Sequence, residues 1–180
     1  MEKPWVAVII GSKRDKEKIE DSKLREVFSH CEVNFEESVF STHRHREELE
    51  KYCKNAIAVG VTLFIAGAGK AAHLPGTVAT ITNYAKPVIG VAVSSSAYKN
   101  AQDAALSIYR MPAGCPVPLI GVDGDGFTNA AMLACQIIGT SDDLRSQHTL
   151  QKLAEFRKSD TDPPEEKYHS SQRKETQNDK

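Results

Sequence analysis

The chain has 180 residues, 40% of them hydrophobic, which suits one domain with a sizeable core. Its 23 Lys and Arg residues nearly balance 24 Asp and Glu residues, and no apolar run approaches the roughly 18 residues of a membrane helix, so we expect neither nucleic acid nor a membrane as partner. The four cysteines give no sign of a zinc ribbon or a disulfide framework, which indicates free thiols in a cytoplasmic protein.

Predicted strands and helices alternate along most of the chain. The strand signals are five apolar runs, most of them continuous, as in strands buried on both faces of a parallel sheet: Trp5–Ile10, Val33–Phe40, Thr62–Ile65, Pro87–Val93 and Pro116–Val122. Helical spacing or capping signals mark the segments between and after them: Asp15–His30, Glu47–Val59, Ala71–Tyr84, Asn100–Tyr109 and Thr128–Ile138. The alternation predicts a three-layer α/β/α sandwich with a central parallel sheet, doubly wound and flavodoxin-like.

The C-terminal part has a different character. In residues 141–158, Leu144, Leu150, Leu153 and Phe156 suit a helix that needs a partner surface, which we expect another subunit to provide. Residues 159–180 hold ten charged residues in 22 and two adjacent prolines. Such a segment cannot bury enough apolar surface to offset its ordering entropy, so a disordered tail is predicted.

A glycine-rich segment, residues 66–76, follows the third predicted strand and leads into a helix. Backbone N–H groups in such a turn can approach an anion closely, and the helix N-terminus adds partial positive charge. His73 is unusual there, because a phosphate cradle needs no imidazole. The spacing fits neither the dinucleotide-binding fingerprint nor the P-loop. The segment therefore predicts a site that holds an anion and moves protons.

Two more polar loops follow predicted strands, and the carboxyl ends of parallel strands share one edge of a sheet. After the first strand, Ser12 and Asp15 could bind a phosphoribose or could simply cap the next helix. After the second come Ser41, His43 and Arg44. Arg44 could clamp a phosphate or carboxylate, and His43 could act as general acid or base. The alternative is a solvated basic start to the next helix, although helix starts disfavour cations.

The histidines also raise the possibility of a metal site. His43 and His45 share a face of an extended segment and, with His73, could form a three-histidine zinc centre. No acidic residue is evident nearby to orient such ligands, and the glycine-rich segment would then lack a purpose. We therefore predict no metal.

Four motifs together resemble the PurE family, the N5-carboxyaminoimidazole ribonucleotide mutases of purine biosynthesis: Gly11-Ser-x-x-Asp15, Ser41-x-His43-Arg44, Ala66–Gly76 and Met111–Val117. The resemblance implies that residues 1–140 form the catalytic domain, in subunits assembled as a homo-octamer. It implies transfer of a carboxylate from the exocyclic nitrogen to C4 of aminoimidazole ribonucleotide, without metal or organic cofactor.

The resemblance also assigns roles to residues. His43 would be the catalytic acid and base, and the remaining candidates would bind the substrate or enclose its carboxylate: Ser12, Asp15, Ser41, Arg44, Ala68, Gly69 and His73. A sister class that uses free carbon dioxide carries Lys after the His and an Arg-Ser-Asn version of the glycine segment. Arg44 and the Ala68-Gly69 pair resemble the mutase class instead.

The chain departs from the family pattern at three positions of these motifs. Arg14, Thr42 and Lys70 stand where the resemblance leads us to expect Ser, Ala and Gly, and Lys70 places a Cβ where a positive φ is expected. Two alternatives therefore stay open beside the mutase. One is a non-catalytic nucleotide-binding or regulatory protein, and the other is a carboxylase or decarboxylase acting on a different substrate.

Overall fold

A computed structural model describes residues 5–96 and 100–160 of the chain. Within these residues, five strands and seven α-helices occur in this order: β1 (Trp5–Ile10), α1 (Lys16–Glu20), α2 (Leu24–His30), β2 (Asn34–Val39), α3 (Arg46–Ala58), β3 (Leu63–Gly69), α4 (Leu74–Ile81), β4 (Val88–Val93), α5 (Gln102–Tyr109), β5 (Leu119–Val122), α6 (Asp123–Ile138) and α7 (Leu144–Asp160). All five predicted strands are present. None of the described helices is both long and apolar enough to cross a membrane.

The five strands form one parallel sheet in the order β2-β1-β3-β4-β5. The chain lays β2 on one side of β1 and then places β3 on the other side, so the winding direction reverses between β1 and β3. This is the flavodoxin-like order, and the predicted doubly wound fold is confirmed. In such sheets, ligands bind outside the carboxyl ends of the strands at the point of reversal.

Two apolar layers flank the sheet because strand side chains alternate between its faces. In β1, Val6, Val8 and Ile10 point into the layer built with α1, α2, α6 and α7. Ala7 and Ile9 point into the opposite layer, built with α3, α4 and α5. The helices therefore cover both faces of the sheet, which explains why β1, β3 and β4 are continuous apolar runs rather than alternating ones.

The first predicted helix is interrupted, so the expectation of one helix over 15–30 is wrong. The break lies between α1 and α2, where the Ser22 hydroxyl donates to the Ile19 carbonyl at 2.6 Å and accepts from the Leu24 N–H at 3.2 Å. A serine side chain that bonds to nearby backbone competes with the helical hydrogen bonds. The Lys23 N–H donates to Thr128 Oγ1 of α6 at 3.0 Å, so the chain also contacts α6 at this break.

Helix α6 begins at Asp123, five residues earlier than predicted from Thr128. The Asp-Gly-Asp-Gly composition of its first turn is typical of a loop. In the structure the glycines serve packing, since a Cβ on Gly126 would lie 2.6 Å from the Gly121 carbonyl carbon and 2.8 Å from Val91. The helix start is therefore pressed onto β5 and β4.

Helix α7 packs on its own subunit, where Leu153 and Phe156 join the core layer that contains α2 and α6. Leu144, at the start of the helix, remains 83% exposed. The contact of this helix with another subunit stays a prediction. Nearly all of the predicted disordered tail, residues 161–180, lies outside the described residues.

Gly67 supports a steric prediction. The Gly11 N–H donates to the Gly67 carbonyl at 3.0 Å, and a Cβ on Gly67 would lie 2.5 Å from the Phe127 ring. Gly67→Ala should lower the free energy of unfolding by about 1–3 kcal/mol, because overpacking forces the core to shift. Chemical denaturation measures this value.

Gly11→Ala is the matched control at the neighbouring strand end. Its Cβ would meet Asp15 at 3.7 Å, an ordinary contact, so stability should change by less than about 0.5 kcal/mol. Equal effects of the two substitutions would contradict the steric argument.

Candidate active site

The polar loops that follow β1, β2, β3 and β4 converge on one cavity of about 600 Å³ at the carboxyl edge of the sheet. This volume lies within the range of small-molecule sites. The structure brings all eight candidate residues to the lining of this cavity: Ser12, Asp15, Ser41, His43, Arg44, Ala68, Gly69 and His73. The cavity lies at the reversal point between β1 and β3, where the fold places ligands.

The loop after β1 combines a cap with a half-buried carboxyl group. Ser12 caps a short 3-10 turn, Lys13–Asp15, and its Oγ accepts from the Arg14 N–H at 3.3 Å. Burial raises the pKa of the Asp15 carboxyl group above its ordinary 3.8, although a hydrogen bond from the Ser12 backbone opposes this change. Ser12 therefore serves as a cap, as one interpretation held, while it also lines the cavity.

The loop after β2 is closed by its own backbone. The Ser41 carbonyl accepts from the N–H groups of Arg44 and His45 at 3.1 and 2.8 Å, and the Ser41 N–H donates to His45 Nδ1 at 3.2 Å. This arrangement turns the His45 ring back onto the loop, while His43 and Arg44 line the cavity. The described residues contain no group of three or more His, Cys, Asp or Glu side chains placed to hold a metal ion.

His43 and His73 contact each other across the cavity. His43 Nε2 lies 2.9 Å from His73 Nδ1, and the two rings meet edge to face with centroids 5.0 Å apart. In such a contact one nitrogen donates and the other accepts, so a single proton lies between the rings. The first turn of α4, with Pro75 in it, fixes the position of His73 just before the helix. His73 in turn contacts the Nε2 edge of His43, and no other hydrogen bond of the His43 ring occurs among the described residues.

The glycine-rich segment differs from the predicted turn. Strand β3 continues through Gly69, so Gly67 and Gly69 are strand residues, and the turn proper covers only residues 70–73. A Cβ on Gly69 would lie 2.8 Å from the Val93 carbonyl oxygen, which shows that this glycine permits close packing of β3 on β4. The expected positive φ falls on Lys70, at 57°. The helix begins at Leu74 rather than at Ala71.

The cavity carries a surplus of positive charge. Its charged lining residues, histidines aside, are four cations and two carboxylates: Arg14, Lys18, Arg44, Lys70, Asp15 and Glu17. None of the four cations forms an ion pair within the described part of the chain. Lys18 and Glu17 lie in α1 and belong to no motif that could have identified them. The unpaired cations favour an anionic ligand.

Comparison with known proteins agrees with this geometry. The family model described as AIR carboxylase matches residues 5–162. The chain belongs to the AIR carboxylase family. A relative from Pyrococcus abyssi, named N5-carboxyaminoimidazole ribonucleotide mutase, is 40% identical over 154 residues, spanning 86% of this chain and 82% of the relative. A Bacillus subtilis relative of the same name is 38% identical over 159 residues, spanning 84% and 95% of the two chains.

A solved structure supports the same fold. The crystal structure of Treponema denticola PurE matches with a TM-score of 0.73 at 22% identity, covering 87% of this chain and 91% of that one. The predicted family and fold class are thereby confirmed. The roles of the individual site residues stay predictions.

Within this AIR carboxylase scaffold, Asp123 is a residue that motif reasoning missed. It begins α6 with φ of 49°, and its Oδ1 accepts from the Ser94 N–H at 2.8 Å. Its negative charge adds to the rise in the pKa of Asp15. The Asp-Gly pair after β5 was the available sequence signal, but only the tertiary structure brings the Asp123 charge near Asp15.

The raised pKa of Asp15 predicts a cost in stability at neutral pH. The folded protein holds the Asp15 proton more tightly than the unfolded chain, so this site favours the fold at low pH and loses that contribution as the pH rises through the folded pKa. Asp15→Asn should therefore raise the melting temperature at neutral pH. The gain should shrink as the pH falls towards 3.8, the ordinary value.

Thermal unfolding of both proteins across this pH range measures the difference. Glu17→Gln is the control, because it removes an exposed carboxylate from the same cavity and should change stability by less than about 0.5 kcal/mol. A melting temperature that falls at neutral pH in Asp15→Asn would contradict the desolvation argument.

Proposed function

We propose that the protein is an N5-carboxyaminoimidazole ribonucleotide mutase of de novo purine biosynthesis. It would move a carboxylate from the exocyclic nitrogen to C4 of aminoimidazole ribonucleotide. The observation that carries the proposal is the His43–His73 pair in a cationic cavity at the β1/β3 reversal point. AIR carboxylase-family relatives named as this mutase, at about 40% identity, support the choice of substrate.

Three of the lining residues suit the phosphoribose. Arg44 offers a guanidinium fork without an ion-pair partner among the described residues, and such a fork matches a phosphate group in a bidentate manner. Asp15 and Ser12, on the neighbouring loop, line the same cavity. We assign the phosphate to Arg44 and Ser12, and a sugar hydroxyl to the Asp15 carboxylate.

The His43–His73 pair suits the chemistry. The N–C bond of the substrate breaks and releases carbon dioxide, while His43 gives a proton to the exocyclic nitrogen. C4 then attacks the carbon dioxide, and His43 takes the proton that C4 loses, so no net proton is consumed. Ala68 and Gly69 line the same cavity and would enclose the small neutral intermediate. His73 would orient His43 rather than react.

Two features favour the mutase over the class that uses free carbon dioxide. Arg44 stands after the catalytic histidine, where the resemblance places Lys in the other class. Ala68 and Gly69 stand where that class carries a polar version of the segment. Both features line the cavity, so they lie where they would distinguish the substrates.

We also propose a cytoplasmic homo-octamer, which rests on the family resemblance. Leu106 and Tyr109 support an assembled state, because they lie one turn apart on α5 and are 58% and 76% exposed. The four cysteines are free thiols, as suits a reducing compartment: Cys31, Cys53, Cys115 and Cys135.

His43→Asn tests the proposed function directly. Conversion of N5-carboxyaminoimidazole ribonucleotide to the C4-carboxylated product should fall by roughly a hundredfold to ten-thousandfold, because the variant cannot carry the proton. His148→Asn is the control, since that exposed histidine lies on α7, away from the cavity, and pairs with Glu32. A wild-type rate no faster than that of His43→Asn would refute the mutase and favour a non-catalytic ligand-binding protein.

Leu106→Glu tests the assembly. A charge in a buried apolar contact is costly, so light scattering should show a smaller species than the wild-type octamer. Gln102→Glu, an exposed position on the same helix, should leave the mass unchanged. If Leu106→Glu keeps the wild-type mass, the α5 face is not the contact surface.

A further inference from the structure

Lys70 has an unusual backbone conformation for a residue with a side chain. Its φ is 57°, in the left-handed region that residues with a Cβ adopt at a cost. Of the six non-glycine residues with positive φ in the described ranges, Lys70 alone lines the cavity. A strained residue in a ligand site points to a function that offsets the strain.

Lys70 belongs to the same short turn as His73, which is part of the proposed reacting pair. It follows Gly69 directly and begins the short turn that ends at His73. His73 contacts His43, the proposed proton carrier, at 2.9 Å. Arg44, by contrast, is the cation that we assign to the phosphate. The side chain of Lys70 is exposed to the cavity and forms no ion pair with any described residue.

We propose that the Lys70 ammonium binds the carboxylate group that the protein transfers, an inference that rests on the proposed mutase function. The ammonium attracts this group while it is a carboxylate on nitrogen or on carbon. It has no comparable attraction for neutral carbon dioxide, nor for the ribonucleotide without its carboxylate. Lys70 therefore selects carboxylated over decarboxylated ribonucleotides, whereas a phosphate contact would act on both alike.

The difference between two ligands tests this role. Dissociation constants are measured for the C4-carboxylated ribonucleotide and for aminoimidazole ribonucleotide, which share the same phosphate and ribose. Lys70→Gln should weaken the binding of the carboxylated ligand roughly tenfold, which is the effect expected from the loss of a charge-assisted hydrogen bond. The dissociation constant of the ligand without the carboxylate should change by less than about twofold.

Two further variants separate the charge from the backbone. Lys70→Gly removes the ammonium and also the strain, so it should show the same ligand selectivity as Lys70→Gln while unfolding at a higher temperature. Lys13→Gln removes a cation from the neighbouring loop that does not line the cavity, and neither ligand should be affected by more than about twofold.

Each contrary outcome has a distinct meaning. If Lys70→Gln weakens the binding of both ligands equally, Lys70 does not contact the carboxylate, and a contact with the shared phosphate is indicated instead. Unchanged binding of the carboxylated ligand would refute any contact. Failure of the wild-type protein to bind either ribonucleotide would overturn the proposed function itself, and this outcome is visible before any variant is compared.

Discussion

The parallel pairing of β1 with β3 is the constraint on which the rest of the molecule depends. Because β2 lies on the other side of β1, the loops after β1 and β3 must diverge at the sheet edge, and the cavity opens between them. The pairing extends to the edge itself, where the Gly11 N–H bonds to the Gly67 carbonyl. Phe127 packs against Gly67 from one helical layer and leaves no room for a side chain at this strand end.

The His43–His73 contact links loops that the sheet holds apart. His43 follows β2 and His73 follows β3, with β1 between those strands. A single proton between two imidazoles fixes their relative orientation, and each ring keeps another nitrogen for exchange. Positioning of this kind matters most when an intermediate is small and can diffuse away. The proposed proton transfer and the proposed enclosure therefore involve the same pair of loops.

The sequence was sufficient to predict the fold class and the convergence of the polar loops on one site, and both predictions have the same physical basis. Continuous apolar runs mark parallel strands, and parallel strands deliver their following residues to one edge, so Ser12, His43 and His73 could be expected together. The break after α1 and the early start of α6 could not be predicted, because they depend on contacts such as Lys23 with Thr128 and Gly126 with Gly121. Local patterns carry no information on such long-range packing.

The features that lower the stability of the unliganded protein are concentrated in the cavity. Asp15 is a carboxyl group with a raised pKa, Lys70 is held in the left-handed region, and the lining contains two more cations than carboxylates. Like charges brought together without partners destabilise the folded state. An anionic ligand, such as the proposed ribonucleotide, would balance the surplus positive charge of the lining. The surplus cations therefore make the binding of an anion more favourable, and a ligand that binds only the folded state stabilises it.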